Sequence, residues 1–344
     1  METPKATYRQ LGKSGLRVSV PILGCMSYGS DKWMDWVMNP EEALPILKAA
    51  YDMGVTTWDT ANVYSNGDSE KVIATALKKY EIPREEIVIM TKCFFGVAKE
   101  MNTRFNALTQ DRPEYNNQLG LSRAAIFNQV EGSLKRLETD YIDVLQIHRY
   151  DKNVDPEEVM CALNDLVKSG KVRYIGASSM WAYQFAALQN VAEKNGYTKF
   201  ISMQDYYNLL YREEEREMIP YCKMTGVGLI PWSPLSAGAL ARPVSNVETL
   251  RAKVSKASNW GRHVDAPAGQ EINKRVEEIA KKRGWSMAEV ALSWVNGKVT
   301  SPIVGVSSIK RLEEALSSVP KLLTEEEIKY LEEPYIPQKI SGHM

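Results

Sequence analysis

The chain contains 344 residues, of which 44% are hydrophobic and 25% charged, as is typical of a globular protein. Its 43 Lys and Arg residues balance its 43 Asp and Glu residues, so net charge gives no support for nucleic acid or a membrane surface as a partner. No apolar run approaches about 18 residues, and the amino terminus does not resemble a secretory signal. The four cysteines show no CxxC spacing, which indicates reduced thiols and predicts a cytoplasmic protein.

A hairpin and eight strands are predicted along the chain. Residues 8–19 indicate a small hairpin that turns at Lys13–Gly15. Most later runs are β-branched and apolar on both faces, as is typical of parallel strands covered on both sides. The predicted strands are residues 18–25, 56–61, 86–93, 141–148, 172–179, 200–207, 227–234 and 301–308.

Helical patterns lie between these strands, and several carry signals for their ends. Ser122 and Asp155 occupy expected N-cap positions, Pro156 a first helical position, and Gly170 follows a helix end. Another helix is predicted to open at Ser69. The remaining helical patterns complete the alternation. The predicted helical segments are residues 40–54, 122–140, 155–171, 268–284, 308–319 and 324–334.

The alternation of strand and helix predicts a parallel α/β fold. Eight units without a Pro- or Ser-rich linker favour a (β/α)8 TIM barrel in a single domain, residues 1–344, and a doubly wound sheet is the alternative. Two long connections, residues 94–121 and 239–268, are expected at the C-terminal face of this barrel. Loops of such length are usually functional or mobile.

Polar residues stand at the predicted C-terminal ends of the strands, where barrels place their chemistry. Asp59 lies near the end of the second strand with Tyr64 after it, Lys92 lies near the end of the third, and His148 ends the fourth. Each residue alone is compatible with a structural role as a paired or solvated group. Because barrel geometry makes neighbouring strand ends converge, the four residues together predict a catalytic site.

The chemistry of these four residues predicts a general acid. A phenol loses its proton near pH ~10, and a neighbouring ammonium lowers its pKa. A buried ammonium needs a counter-ion, so Tyr64 would need Lys92, and Lys92 would need Asp59. His148 could hydrogen-bond a substrate oxygen while the phenol protonates a developing alkoxide. Since none of these groups supplies electrons for a reduction, a cofactor would deliver hydride.

Other chemistries fit the sequence less well. GASSM, around Ser178, lacks the second glycine of a GxSxG nucleophile elbow. GVGLIP, residues 226–231, ends in proline within a predicted strand, unlike a dinucleotide-binding GxGxxG turn. The sequence contains no HExxH, His/Cys cluster or Walker A motif, so no metal site is predicted.

The chain resembles the aldo-keto reductases over nearly its whole length. LGKSGLRVSVPILGCMSYG is similar to the family's opening hairpin and first strand, and WDTANVYSNGDSE to its Asp and Tyr signature. TKC resembles the lysine strand, IDVLQIHRYD the histidine strand and WSPLSAGAL the cofactor loop. The closer similarity is to a long-chain, fungal-type branch that includes aryl-alcohol dehydrogenases and versiconal hemiacetal acetate reductase. This resemblance implies an NADP-dependent oxidoreductase that reduces small-molecule aldehydes or ketones.

The resemblance also implies roles for single residues. Asp59, Tyr64, Lys92 and His148 would form the catalytic tetrad. Trp232 replaces the usual tyrosine of the family, and its indole also offers a flat face to a nicotinamide ring. The implied NADP(H) contacts are Ser178 and Gln204 at the carboxamide, Trp232 at the ring, Ser233, Leu235 and Gly238 at the pyrophosphate, Ser307 and Arg311 at the 2′-phosphate, and Glu314 at the adenine.

Two positions depart from the family's pattern. Ser179 and Ala315 stand where the family often has Asn.

Two other functions stay open. The first alternative is a cofactor-binding regulatory subunit, since the potassium-channel β subunits resemble these enzymes. The second is a barrel with unrelated lyase or isomerase chemistry.

Aromatic residues around the predicted mouth favour aryl or polyketide-like carbonyls as substrates. Residues 94–121 would form a flexible aromatic lid over a mostly apolar pocket. The alternative is a loop whose hydrophobic residues are tucked underneath it. The aromatic residues of this rim are Trp33, Trp36, Phe94, Phe95, Phe105, Tyr115 and Trp181.

Overall fold

Eight parallel strands form a ring in the computed structural model, which describes residues 4–104, 107–108, 112–245 and 262–343. The sheet closes where Ile303 N donates to Pro231 O at 2.9 Å and where Trp232 and Ile303 form an isolated parallel β-bridge. The predicted (β/α)8 barrel is therefore confirmed, and the doubly wound sheet is wrong. The strands are β1 (Thr7–Gln10) and β2 (Arg17–Val20) in an antiparallel hairpin, then β3 (Ile22–Gly24), β4 (Thr57–Asp59), β5 (Val88–Cys93), β6 (Ile142–Ile147), β7 (Val172–Ser178), β8 (Phe200–Gln204), β9 (Gly228–Leu229) and β10 (Ile303–Val304) in the barrel.

The predicted hairpin is present and packs against the barrel. Lys13 N donates to Gly226 O at 2.8 Å, and Leu11 is fully buried among residues of the barrel strands. Gly12 has φ +60°, and a Cβ there would lie 2.4 Å from Gly226 O, so no larger residue fits. The first predicted strand divides into two elements, because Pro21 has no N–H to donate and separates the hairpin from β3.

Helices surround the ring and bury their apolar faces against it. The predicted N-caps are confirmed, since Ser122 Oγ accepts from Ala125 N at 3.2 Å and Asp155 Oδ1 from Glu157 N at 2.8 Å. No helix in the described part of the chain has the length and apolar character needed to cross a bilayer. The helices are α1 (Pro40–Asp52), α2 (Asp68–Lys79), α3 (Arg123–Leu137), α4 (Pro156–Lys168), α5 (Ala182–Asn195), α6 (Met218–Thr225), α7 (Pro267–Arg283), α8 (Met287–Asn296), α9 (Ile309–Ser317) and α10 (Glu325–Glu332).

Candidate active site

A buried ion pair lies at the carboxyl ends of β4 and β5. Lys92 Nζ donates to Asp59 Oδ2 at 2.6 Å and to Thr60 O at 2.8 Å. Burial by itself lowers the pKa of Lys92, but attraction to Asp59 and Tyr64 outweighs burial and leaves that pKa raised. Lys92 therefore remains an ammonium inside the barrel, with Asp59 as its counter-ion.

Two glutamines hold the other oxygen of the carboxylate. Gln146 Nε2, from β6, and Gln204 Nε2, from β8, each donate to Asp59 Oδ1 at 2.9 Å. Gln204 Nε2 also donates to Gln146 Oε1 at 2.8 Å. The three side chains thus form one network across the barrel, which fixes the direction in which Asp59 meets Lys92.

Tyr64 begins a 3₁₀ turn that follows β4. The next two residues, Ser65 and Asn66, have positive φ of 48° and 46°, so the chain turns sharply there. Lys92 Nζ lies 5.1 Å from the centroid of the Tyr64 ring. Burial raises the pKa of Tyr64, while Lys92 and Arg149 act to lower it. The predicted lowering effect of Lys92 is present, but burial is the larger effect and leaves the pKa of Tyr64 raised. The phenol consequently holds its proton at neutral pH.

His148 directly follows β6, beside the phenol. Its ring meets that of Tyr64 edge-on, with centroids 5.9 Å apart. Burial lowers its pKa well below the ordinary value, and the charges of Arg149 and Lys92 add to this effect. His148 Nδ1 is buried and has no hydrogen-bond partner among the described residues. The imidazole is therefore neutral and carries one N–H to donate.

A pocket of about 650 Å³ opens above these residues. Asp59, Tyr64 and His148 line it, whereas Lys92 is fully buried behind this surface. The described residues contain no group of His, Cys, Asp or Glu that could hold a metal ion. Other predicted site residues line the same pocket, namely Ser178, Gln204, Trp232, Ser233, Leu235, Gly238, Arg311 and Glu314.

Trp232 is held in place from two sides. Its ring stacks on Tyr206 with centroids 4.5 Å apart, and its Nε1 donates to Ser179 Oγ at 3.1 Å. Ser179 in turn donates its backbone N–H to Asp205 Oδ1 at 2.9 Å. Beside it, Ser178 Oγ donates to Gln204 O at 2.7 Å. Ser179, one of the departures from the family's pattern, thus orients the indole.

Two arginines stand at the other end of the pocket. Burial lowers the pKa of Arg242, and the nearby charge of Arg311 lowers it further. Arg311 Nη1 donates to Ser307 Oγ at 2.6 Å, while Ser307 itself does not line the pocket. Neither arginine forms an ion pair with a carboxylate in the ranges that the structure describes. Two adjacent cations that pair with no described carboxylate form a suitable site for phosphate.

A model of the aldo/keto reductase family matches residues 22–336. The chain belongs to the aldo/keto reductase family. Versiconal hemiacetal acetate reductase of Aspergillus parasiticus is 53% identical over 97% of this chain and 98% of its own length. A Schizosaccharomyces pombe protein named as an aryl-alcohol dehydrogenase is 57% identical over 98% of both chains. An aldo-keto reductase of Metarhizium robertsii is 57% identical over 98% of this chain and 94% of its own length. The protein is thus an oxidoreductase, in a family that generally uses NAD(P)H.

Sequence reasoning missed several residues at the site of this reductase. Gln146 could have been found, because it stands two residues before His148 and so faces the same side of β6. Arg149 lines the pocket directly after His148, within the quoted IDVLQIHRYD stretch. Arg242 falls in the long segment after the seventh strand, where length alone pointed to function but not to a residue.

The aromatic rim of the reductase is only partly at the pocket. Trp36 and Phe95 line it, whereas Tyr115 is buried in a small cluster with Ala98 and Leu108. The remaining rim residues do not line the pocket, or are not described. Trp33 is buried with its ring 6.4 Å from Tyr64, Trp181 packs edge-on against His343 at 4.8 Å, Phe94 packs edge-on against Phe95 at 5.0 Å, and Phe105 lies outside the described residues.

Asn66 fastens the rim segment, residues 95–104, to the 3₁₀ turn that begins at Tyr64. Its Nδ2 donates to the carbonyl oxygens of Met101 at 3.0 Å and Thr103 at 2.9 Å. Its Oδ1 accepts from Ala98 N at 3.1 Å. The segment that carries Phe95 is therefore anchored two residues away from the phenol of Tyr64.

Proposed function

We propose that this reductase transfers hydride from NADPH to an aldehyde or ketone of aryl or polyketide-like structure, with Tyr64 as the proton donor. The observation that carries the proposal is the place of Tyr64 at the pocket surface, with Lys92 5.1 Å from its ring and the ring of His148 5.9 Å away. A protonated phenol between a buried cation and a neutral imidazole suits protonation of a carbonyl oxygen.

The donor set of the pocket fits a nicotinamide dinucleotide phosphate. Ser178 and Gln204 would hold the carboxamide, and Trp232 would lie against the ring. Ser233, Leu235 and Gly238 line the stretch between Trp232 and Arg242, where the pyrophosphate would pass. When bound, the reduced nicotinamide supplies the hydride.

The far end of the pocket supports NADPH over NADH. Arg311 and Arg242 would take the charge of a 2′-phosphate, with Ser307 orienting Arg311, and Glu314 would face the adenine. Without such an anion the two arginines only repel each other. A phosphorylated cofactor removes that cost.

The residues around Tyr64 would carry the proton. His148 would donate its N–H to the carbonyl oxygen and hold it beside the phenol. Tyr64 would then give its proton to that oxygen as negative charge develops on it. Lys92, kept charged by Asp59, would stabilise the phenolate that remains.

The apolar part of the pocket favours a flat, apolar substrate. Trp36 and Phe95 line it together with Met26 and Met34. A polyol would lose water at such a surface without gaining hydrogen bonds. The names of two relatives, an aryl-alcohol dehydrogenase and versiconal hemiacetal acetate reductase, support the proposed substrate class as well. A single-domain organisation and a cytoplasmic location remain predictions, and no observation favours a regulatory subunit.

Multiple-turnover oxidation of NADPH with a panel of aryl aldehydes tests the proposal. The parent should consume many equivalents of NADPH per protein and form the matching alcohol, with poor turnover of glucose-sized polyols and sugars. Tyr64→Phe is the matched control, because it removes one hydroxyl and keeps the ring. NADPH binding without turnover in the parent would contradict the reductase assignment and favour a regulatory role.

A further inference from the structure

Arg149 is a cation at the catalytic end of the pocket. It follows His148 directly and lines the pocket, and its Nη1 donates to His148 O at 2.5 Å. Its guanidinium carbon lies 5.9 Å from the centroid of the Phe95 ring. Burial lowers the pKa of Arg149 to about 10, while Tyr64 and Asp205 act to raise it. The side chain thus stays charged at neutral pH beside the aromatic wall.

The charge of Arg149 lacks an ion-pair partner in the part of the chain that the structure describes. Among the described residues, no carboxylate lies within ion-pairing distance of Arg149, and Asp205 exerts only a longer-range attraction. Two other largely shielded arginines are paired with carboxylates, Arg84 with Asp143 at 2.6 Å and Arg136 with Glu70 at 2.7 Å. A shielded guanidinium with unused N–H donors is costly unless an anion meets it.

The cofactor does not account for Arg149. In the proposed function, Arg242 and Arg311 take the phosphate charge at the opposite end of the pocket. The nicotinamide end brings no anion to the neighbourhood of His148. Arg104, which is exposed, adds a second positive charge to the pocket lining from the rim segment. The catalytic end therefore offers positive charge next to an aromatic surface, and the substrate is the group left to meet it.

We propose that Arg149 selects aromatic carbonyl substrates that carry a carboxylate. The inference rests on the proposed function and specifies its substrate class. The aryl body would lie against Phe95 and Trp36, with its carbonyl between Tyr64 and His148. The carboxylate would accept two parallel hydrogen bonds from the planar guanidinium, a geometry that a lysine ammonium cannot reproduce.

The test compares 3- and 4-carboxybenzaldehyde with their methyl esters, which keep the ring and the aldehyde but lack the charge. The measurement is kcat/KM with saturating NADPH for the parent, Arg149→Met and Arg149→Lys. The parent should favour at least one acid over its ester. The loss in Arg149→Met should be about tenfold to hundredfold greater on that acid than on its ester, as for a hydrogen bond to a charged group, because any effect on Tyr64 and His148 falls on both substrates alike. The kcat/KM of Arg149→Lys on that acid should fall between those of the parent and Arg149→Met.

Arg123→Met is the matched control for a change of net charge. Arg123 is an exposed arginine paired with Asp165 at 2.7 Å, and it does not line the pocket. This variant should keep the parent's ratio of kcat/KM for the acid to kcat/KM for the ester. A thermal unfolding scan of each variant separates a folding defect from a change in selectivity, and Arg149→Lys provides the reading if Arg149→Met unfolds.

Two results would overturn the inference. Equal loss on acid and ester in Arg149→Met, with a displaced pH profile, would mean that Arg149 acts through the pKa of Tyr64. Equal kcat/KM for acid and ester in the parent would mean that the charge is not recognised. Both leave the reductase assignment intact, whereas a parent that reduces none of the four aldehydes would count against the proposed function itself.

Discussion

Asp59→Asn should destabilise this protein by more than any loss of contact area would suggest. The substitution keeps the shape of the side chain but leaves Lys92 buried without its counter-ion. Gln146 and Gln204 both donate to Asp59 Oδ1, so an amide nitrogen placed there would also face two donors. Removing one partner of a buried pair costs about 3–5 kcal/mol, a large share of the roughly 5–15 kcal/mol by which domains are stable.

The loss should depend on pH in a defined direction. In the parent, the pKa of Lys92 is raised, so the pair contributes stability below the unfolded pKa of about 10.4 and loses it as pH rises through the folded pKa. In Asp59→Asn, burial dominates and the folded pKa falls below the unfolded value. The variant should therefore gain stability as pH rises through that lowered pKa. The difference in the free energy of unfolding between parent and variant should therefore narrow toward alkaline pH.

Urea unfolding near neutral pH and near pH ~10 measures both effects. The double variant Asp59→Asn/Lys92→Met is the informative comparison, because methionine keeps most of the lysine stem and removes the charge. It should recover much of the lost stability but none of the turnover. A loss below about 1 kcal/mol in Asp59→Asn, or a double variant no more stable than the single one, would refute the reasoning.

Three further predictions concern turnover and binding. Tyr64→Phe should keep NADPH binding nearly unchanged and cut turnover by orders of magnitude, and an equal loss of binding and turnover would contradict the role of Tyr64 as proton donor. The rate of reduction by the parent should stay flat through neutral pH and fall only above pH ~10, because burial raises the pKa of the phenol. Arg311→Ala should weaken NADPH far more than NADH, by roughly 1.5–3 kcal/mol in titrations of cofactor fluorescence, and an unchanged preference would count against a 2′-phosphate contact. Asn66→Ala should raise the KM for bulky aryl aldehydes while NADPH affinity stays within a few fold, because it frees residues 98–103 from the turn that begins at Tyr64. An unchanged KM would mean that the rim does not contribute to substrate binding.

Strand ends were predictable because their signals are local. Each barrel strand is a short apolar run, and the polar residue at its end stands out against that background, as Asp59 and His148 do. Parallel strands bring such ends together without further information, so the sequence alone was enough to predict that these polar residues lie at one face of the barrel.

Other features were not predictable for physical reasons. The helix α8 is buried on nearly every side, so it lacks the polar stripe that reveals a helix, and α6 is short and contains Pro220. The bonds from Gln146 and Gln204 to Asp59 join three strands and leave no pattern in any one of them. The net pKa of Tyr64 depends on how much water the fold removes, which no residue spacing encodes.

The closure of the ring has a consequence for how the chain folds. β3, near the start of the chain, pairs with β10, near its end, and Lys13 of the hairpin bonds to Gly226 just before β9. Neither contact can form on the ribosome until most of the polypeptide has emerged. Until then the growing sheet has two unpaired edges, which are templates for pairing with other chains. We expect docking of the hairpin and closure of the ring to be late events in folding, because both require contacts between distant parts of the sequence.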